Sequence, residues 1–242
     1  HTVIGIKEND FFRTWRIGTK SYETEDELFS LISNLFDHSD ISMKKIDKIG
    51  VSSVVPFINE IIIYMNKKYI NSEIYFINSD KKIYDIVYDV EYPREIGADR
   101  IANIIASRYE YGKNVIAVDF GTAITVDVMK NAYFNGGCII PGFKTQMISL
   151  FSSTAKLPQV ELIIPDYNLG KNTSDNIQIG VIKNTIYGIE RLISEIEKET
   201  SCNYEVIITG GMSGKIKNYS DVFKIHDKYL TLKGIEYYLK NF

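Results

Sequence analysis

The chain has few cysteines, histidines and prolines, and it lacks any apolar run long enough to cross a membrane. Its 242 residues include two cysteines, three histidines and five prolines. Two cysteines are too few for a disulfide framework, and the scattered histidines give no zinc-binding spacing. No apolar run reaches the ~20 residues that a bilayer-spanning helix needs, and the first residues have no signal-peptide pattern. We therefore expect a cytoplasmic protein with reduced thiols.

An excess of positive charge is also missing. The formal net charge is −3, from 28 Lys and Arg against 31 Asp and Glu. Bulk electrostatics therefore gives no reason to expect binding to nucleic acid or to an anionic membrane. The apolar fraction of 45% and the charged fraction of 24% are typical of a globular protein. A chain of this length can form two domains of ordinary size.

The most informative stretch is residues 115–128, with the sequence VIAVDFGTAITVDV. A β-branched run before Asp119 and a second one after Thr122 predict a β-hairpin. Its tip carries the Asp119 carboxylate, the open backbone of Gly121 and the Thr122 hydroxyl. A phosphate group needs N–H and O–H donors, and its accompanying cation needs a hard oxygen ligand. The tip is therefore a candidate phosphate and cation site; the alternative is an Asp119 that only stabilises its own turn.

The order of predicted elements repeats along the chain. Each half reads as a hairpin or meander followed by helix, strand, helix, strand and helix, and the second copy begins at Gly112. Strands alternating with helices predict α/β domains, here residues 1–111 and 112–242. The comparison also predicts that the first copy lacks an opening strand and turn upstream of His1, with their own carboxylate and glycine.

Local signals predict where several elements begin and end. Thr24 followed by Glu27 predicts a capping box, and Thr173 is the predicted N-cap of the longest helical pattern. The apolar face of that helix could form either an intramolecular core or a subunit contact. A turn is predicted at residues 7–10 between the first two strands, and a further strand at residues 222–225.

The segment Gly97-Ala98-Asp99-Arg100 opens a predicted helix that runs to about Tyr109. Asp99 could simply favour the free N–H groups of the first turn, and Arg100 could be solvated. In the functional interpretation, Asp99 accepts a proton from a substrate hydroxyl and Arg100 binds a carboxylate through two parallel contacts. This combination implies a small, negatively charged substrate that carries an alcohol.

Glycine-rich turns mark further candidate sites. Thr209-Gly210-Gly211 follows a predicted strand and precedes a helix, where glycine is common. It could also present a flat surface on which a nucleotide base or ribose lies close to the backbone. Gly136-Gly137 and Pro141-Gly142 have the same two interpretations, a close approach to a ligand or a tight corner.

Taken together, the segments VDFGTAIT, GADR, GGCIIPG, GKNTSDNIQIG and ITGG resemble those of type III pantothenate kinases over essentially the whole chain. The resemblance implies an α/β fold of duplicated RNase H-like domains, as in acetate and sugar kinases, heat-shock chaperones and actin, with the active site in the interdomain cleft. It implies ATP-dependent phosphorylation of pantothenate, the first committed step toward coenzyme A. It also implies Mg²⁺, a monovalent cation (K⁺ or NH₄⁺) and a homodimer.

The resemblance assigns roles to individual residues. The implied pantothenate-binding residues are Gly97, Ala98, Asp99, Arg100 and Thr173, with Asp99 as the catalytic proton acceptor. The implied ATP-binding residues are His1, Thr2, Val3 and Thr122, and Asp119 would hold the monovalent cation.

The chain departs from the family pattern in two places. The family opens with an Asp-x-Gly-Asn-Thr phosphate loop, of which only the continuation His1-Thr2-Val3 is present. Many members have Tyr where this chain has Val90. Two alternatives remain: a kinase of another small hydroxy acid, and a nucleotide-binding regulator.

Overall fold

The computed structural model describes residues 1–8 and 11–242, which form two compact units. Unit 1 comprises residues 1–83, 92–106 and 231–242, and unit 2 comprises residues 84–91 and 107–230. Each unit contains both strands and helices, so the predicted α/β class is confirmed. The domain limits predicted from the repeat, 1–111 and 112–242, stay a prediction.

Unit 1 contains two pairs of strands. Its first pair is antiparallel and consists of β1 (Thr2–Glu8) and β2 (Phe11–Ile17). The second pair is parallel and consists of β3 (Lys48–Val51) and β4 (Glu73–Phe76). The turn predicted between β1 and β2 includes residues 9 and 10, which lie outside the described residues.

The helices of unit 1 pack around an apolar cluster. Helix α1 (Glu25–Asp37) begins with the predicted capping box, in which Thr24 and Glu27 bond to each other's backbone. Helix α2 (Pro56–Met65) starts at a proline, which suits the first helical turn because its missing N–H has no intrahelical partner there. The buried residues that these two helices contribute to the cluster are Leu28, Ile32, Phe36, Ile58, Ile61 and Met65.

Two further helices contribute to unit 1. They are α3 (Ala98–Tyr111), with residues 98–106 in this unit, and α8 (Leu230–Leu239), with residues 231–239 in this unit. Their backbones approach so closely that a Cβ atom on Gly234 would collide with the carbonyl of Ala102. Beside this contact, the Thr231 hydroxyl donates to Asn103 Oδ1 over 2.7 Å.

Unit 2 is built on a six-stranded sheet. Its strands are β5 (Val87–Tyr88), β6 (Val115–Phe120), β7 (Ala123–Lys130), β8 (Tyr133–Pro141), β9 (Glu205–Thr209) and β10 (Ile225–His226). The order across the sheet is β10-β9-β6-β7-β8-β5. Strands β6 to β8 form an antiparallel meander, and β9 and β10 extend the sheet in parallel on the other side of β6. This arrangement is the one expected for an RNase H-like unit.

The helices of unit 2 cover this sheet with an apolar layer. They are α4 (Phe143–Ser152), α5 (Thr173–Gln178), α6 (Asn184–Thr200) and α7 (Ser213–Ile216), with a π-helical turn at Ile179–Lys183 between α5 and α6. Ile186, Ile189 and Ile193 of α6 lie in the same buried cluster as β6 and β9 side chains. The apolar face of this long helical stretch is therefore part of the intramolecular core.

Two predicted boundaries were wrong. Asn172, not Thr173, is the N-cap of α5, because its side chain accepts from the Asp175 N–H at 2.9 Å. Asn is at least as good an N-cap residue as Thr. The strand predicted at residues 222–225 is limited to β10, because Phe223 packs into the core from a loop instead of pairing in the sheet.

Within the described residues, every helix is too short or too polar to span a membrane.

Replacing Gly234 by Ala is expected to lower the free energy of unfolding by about 1–3 kcal/mol, because the new methyl group would press on the Ala102 backbone. The matched control is Gly188→Ala on α6, where a Cβ would meet nothing within 4 Å. That control should be neutral or stabilising by up to about 1 kcal/mol. Urea unfolding of both variants measures the difference, and equal midpoints would contradict the close packing of α3 and α8.

Candidate functional site

The tip of the β6–β7 hairpin holds the Asp119 side chain at the edge of the unit 2 core. Asp119 pairs with Thr125 on β7 and with Thr209 on β9, so strands flank it on both sides. The next residue, Phe120, is fully buried. The centroid of its ring lies 6.0 Å from the ring centroid of Phe143 and 5.6 Å from that of Phe223. Because side chains alternate along a strand, this burial directs the half-buried Asp119 carboxylate to the opposite face of the sheet.

The Thr209-Gly210-Gly211 turn lies directly beside Asp119. Gly210 has φ +94°, a conformation that side-chain-bearing residues rarely adopt. A Cβ atom at Gly210 would collide with Asp119 Oδ1 and would lie 2.6 Å from the Phe120 nitrogen. The glycine is therefore required both by its own conformation and by the backbone of Phe120. Two motifs about 90 residues apart thus meet at one place.

The backbone of Thr122 is fixed while its hydroxyl is exposed. Its carbonyl accepts from the Gly142 N–H and from the Thr145 hydroxyl, each at 3.0 Å. A Cβ atom on Gly142 would collide with the carbonyls of Gly121 and Thr122, so the Pro141-Gly142 turn also packs tightly. The Thr122 hydroxyl makes no hydrogen bond with the described part of the chain and is free to donate to a ligand.

A groove of about 820 Å³ lies next to this turn within unit 2, and Thr173 is on its wall. Its polar lining residues are Thr145, Gln146, Ser149, Thr173 and Asn176. Thr145 both lines the groove and holds the Thr122 carbonyl, so the groove adjoins the hairpin tip. Since Asn172 provides the cap of α5, the exposed Thr173 hydroxyl is not used for capping.

The groove wall is held by a small polar network and by an irregular helical turn. Gln146 Nε2 donates to the Pro141 carbonyl at 2.7 Å and to the Thr185 hydroxyl at 3.1 Å. Gly180 and Val181, which also line the groove, belong to the π-helical turn. Such turns inside helices occur frequently at functional sites, and the groove has the size of a small-molecule site.

In unit 1, the segment Gly97-Ala98-Asp99-Arg100 forms the first turn of α3. Asp99 Oδ1 accepts from the Arg100 N–H at 2.8 Å, which satisfies one of the free donors of the helix start. One carboxylate oxygen of Asp99 therefore has the structural role considered above, a hydrogen bond with an N–H group of the first helical turn. The other oxygen makes no hydrogen bond with the described residues, and the half-buried side chain remains accessible to a ligand.

Gly97 lies against the side chain of Asp99. A Cβ atom there would lie 2.6 Å from Asp99 Oδ1 and 3.5 Å from a methyl group of Val54. Ala98 is buried, whereas Arg100 is half-buried. The four residues predicted as a group therefore lie on one helical turn, with the Asp99 carboxylate folded back over the glycine.

Three of the residues predicted to bind ATP lie at the start of β1 in unit 1. The Thr2 hydroxyl is within 2.6 Å of the Tyr22 hydroxyl and 3.4 Å of the Thr19 hydroxyl. His1 Nδ1 lies 3.2 Å from Arg16 Nη2, and Val3 is exposed. The Thr2 side chain thus already has partners, and the phosphate-binding role of these residues stays a prediction.

The structure brings some of the predicted residues together and adds others. Asp119, Thr122 and Gly210 meet at one end of the unit 2 sheet, and the Thr173 groove adjoins them. Residues that sequence reasoning missed are Thr145, Gln146, Ser213 and His226, which hold these turns in place. Among the segments that support the hairpin tip, the sequence marked only the Pro141-Gly142 turn. The other supporting contacts are made by hydroxyl and amide groups of distant elements, and such contacts leave no pattern in the sequence.

Known proteins resemble this chain over most of its length. The family model described as Type III pantothenate kinase matches residues 1–195. A protein of Petrotoga mobilis named type III pantothenate kinase is 56% identical over 240 residues, which cover 99% of this chain and 94% of that protein. The chain belongs to the type III pantothenate kinase family. A protein of the same name from Kosmotoga olearia is 43% identical over 97% of this chain and 90% of its own length.

A solved structure supports the fold of this type III pantothenate kinase family member. It is a conserved putative Baf family transcriptional activator from Campylobacter jejuni, with a TM-score of 0.55 and 23% sequence identity. The match covers 96% of this chain and 91% of that protein. At this level of identity the likeness concerns the fold alone.

Proposed function

We propose that this protein transfers the γ-phosphoryl group of ATP to the primary hydroxyl of pantothenate, giving 4′-phosphopantothenate in the first step of coenzyme A biosynthesis. The observation that carries the proposal is the family match over residues 1–195, with GADR and the Asp119 hairpin both inside the matched range. The predicted cytoplasmic location is part of this proposal.

Unit 1 would supply the carboxylate that activates the hydroxyl of pantothenate. The Asp99 oxygen that does not bond to the Arg100 N–H would accept the proton of the pantothenate hydroxyl. The other oxygen is held by the helix start, which keeps the carboxylate oriented. Gly97, Ala98 and Arg100 would bind pantothenate beside it, with the Arg100 guanidinium on the carboxylate of the substrate. Thr173, in the groove of unit 2, would donate its hydroxyl to the same substrate.

Unit 2 would bind the nucleotide. The fixed Thr122 backbone presents a free hydroxyl to a phosphate, and the glycine turn at Gly210 allows a nucleoside to approach the main chain. His1, Thr2 and Val3 of unit 1 would contribute further contacts to ATP. Phosphoryl transfer depends mainly on positioning the reactants and on neutralising the phosphate charge. The fixed backbone at Thr122 and Gly210 would help to position the nucleotide.

A kinase that uses ATP requires a divalent cation such as Mg²⁺, and this chain provides suitable oxygen donors. Magnesium that accompanies a nucleotide takes most of its ligands from phosphates and water, with one or two carboxylates from the protein. When bound, it neutralises the charge that develops on the phosphate oxygens. The exposed Thr122 hydroxyl at the hairpin tip is an oxygen donor that would lie near the phosphates to which the magnesium is bound.

We also propose that Asp119 binds the monovalent cation K⁺ or NH₄⁺. Its carboxylate lies against the backbones of two glycines, since a Cβ on Gly121 would be 3.5 Å from Oδ1 and one on Gly210 would collide with it. Because neither glycine carries a side chain, no Cβ fills the space next to the carboxylate.

A homodimer is the proposed assembly, and an apolar face of unit 2 supports it. The exposed apolar side chains on α4, on the segment between α4 and α5, and on α6 include Ile148, Phe151, Ile163, Leu169 and Tyr187. The Tyr187 hydroxyl donates to Asn168 at 3.2 Å, so the segment that carries Leu169 lies against α6. This face, and not the buried face of α6, is the proposed subunit contact.

Replacing Asp99 by Asn keeps the shape of the side chain but removes the proton acceptor. Turnover should fall by about 10²-fold or more, while the KM for pantothenate should change little. The control is Glu95→Gln, which removes an exposed carboxylate four residues upstream. A coupled assay of ADP release with pantothenate measures both, and near-normal turnover of the Asp99 variant would exclude this role. Wild-type protein that binds ATP but phosphorylates no acid would favour the regulator alternative.

Replacing Asp119 by Asn should abolish activation by the monovalent cation. The measurement is turnover as a function of K⁺ or NH₄⁺ concentration, with choline chloride keeping the ionic strength constant. Asp221→Asn, at an exposed position of the same unit, is the control and should keep the wild-type activation curve. An unchanged activation constant in the Asp119 variant would show that the cation does not bind at this position.

Replacing Leu169, which is 79% exposed, by Glu should convert the dimer to a monomer, because a charge would be buried in the subunit contact. Tyr133→Glu, at an exposed position away from this face, should leave the assembly intact. Light scattering measures the mass of both variants and of the wild-type protein. A wild-type protein with the mass of one chain at working concentration would refute the dimer.

A further inference from the structure

A buried serine and a histidine support the glycine turn beside Asp119. Ser213 is 1% exposed, and its Oγ donates to the Gly210 carbonyl at 2.7 Å. The same Oγ lies 3.0 Å from His226 Nε2. A serine hydroxyl has a single hydrogen, and a carbonyl can only accept, so that hydrogen goes to Gly210. For both contacts to be hydrogen bonds, His226 Nε2 must carry a hydrogen and donate it to Ser213.

We propose that Ser213 and His226 are positioning residues for nucleotide binding, acting through the Gly210 carbonyl. This inference rests on the proposed function, because it assumes that the Gly210 turn lies against the nucleotide. His226 fixes the orientation of the Ser213 hydroxyl, the hydroxyl fixes the Gly210 peptide, and the peptide limits where the Asp119 carboxylate can lie.

The turn needs this support because its own backbone bonds are few. The Met212 N–H donates to the Phe120 carbonyl at 3.2 Å, and the Ser213 N–H donates to the Gly210 carbonyl at 3.1 Å. Both distances are at the long end of the normal range. Gly210 is the residue with positive φ and has no side chain to anchor it. The 2.7 Å bond from Ser213 is therefore the shortest of these three contacts to the turn.

His226 is suited to give one fixed hydrogen bond. It lies on β10, paired in parallel with Ile208 of β9, and this places it beside the end of the strand that leads into the turn. Burial, followed by the charges of Lys217 and Lys228, lowers the pKa of His226, and Asp227 only partly opposes this shift. The ring is therefore neutral at pH 7 and has one N–H, which Ser213 uses.

A catalytic Ser–His pair would have a different geometry. A nucleophilic serine gives its proton to the histidine and has an oxygen that the substrate can reach. Here the serine hydrogen points to a backbone carbonyl, and the oxygen is buried. The arrangement positions the turn and does not perform chemistry.

Two amide substitutions at residue 226 separate the hydrogen bond from general effects on folding. In His226→Gln the amide nitrogen can take the place of Nε2 and donate to Ser213. In His226→Asn the side chain is one bond shorter, so the amide nitrogen lies near the position of Nδ1 and cannot reach the Ser213 hydroxyl. Ser213→Ala removes the bond to Gly210 from the other side. The dissociation constant of ADP, measured by isothermal titration calorimetry on the full chain, is the readout, and thermal unfolding confirms that each variant is folded.

The His226→Asn and Ser213→Ala variants should bind ADP roughly fivefold to tenfold more weakly, as expected for the loss of one hydrogen bond. The His226→Gln variant should stay within about twofold of the wild-type protein. In turnover assays, the KM for ATP should rise in the first two variants while the KM for pantothenate stays close to its wild-type value.

Three results would overturn the proposal: unchanged ADP binding in His226→Asn, equal weakening in His226→Gln and His226→Asn, or no ADP binding by the wild-type protein. A different result would count against the proposed function alone. The wild-type protein could bind ADP, and the two amide variants could differ as expected, while pantothenate is not phosphorylated. The positioning role of Ser213 and His226 would then be supported, and pantothenate would be excluded as the phosphoryl acceptor.

Discussion

The close approach of the Gly210 backbone to the Asp119 carboxylate is the contact on which the rest of the unit 2 site depends. It requires β9 to lie beside β6 in the observed register, because only then does the turn after β9 reach the end of β6. That register is set by the buried β-branched residues of both strands and by the helices that cover them. The packing of the core therefore determines the geometry of the carboxylate.

The two units hold their candidate carboxylates by different means. Asp99 is oriented by the free N–H groups at the start of α3, so a single helical turn is sufficient. Asp119 is oriented by neighbours from a separate strand and from the turn that follows it. The GADR geometry is accordingly local in the sequence, whereas the geometry around Asp119 needs the complete sheet.

This difference explains how far the sequence could predict the structure. The β6–β7 hairpin, the capping box at Thr24 and the start of α3 depend on neighbours within a few residues, and each was predicted correctly. The contact of Ser213 with His226 depends on the pairing of β9 with β10, which no local pattern specifies. The N-cap of α5 was misassigned because Asn172 and Thr173 are both good caps, and only the backbone conformation decides between them.

The π-helical turn between α5 and α6 has a consequence for how this family can diversify. It adds one residue to a helix whose later part is anchored in the core by Ile186, Ile189 and Ile193. Deleting that residue would restore a regular helix while α5 and α6 keep their faces, because a π-helical turn takes up one extra residue locally. The backbone at Gly180 and Val181, which line the groove, would lose its bulge while the buried layer stayed in place. A single-codon deletion at this point would therefore reshape the groove wall without rebuilding the hydrophobic interior.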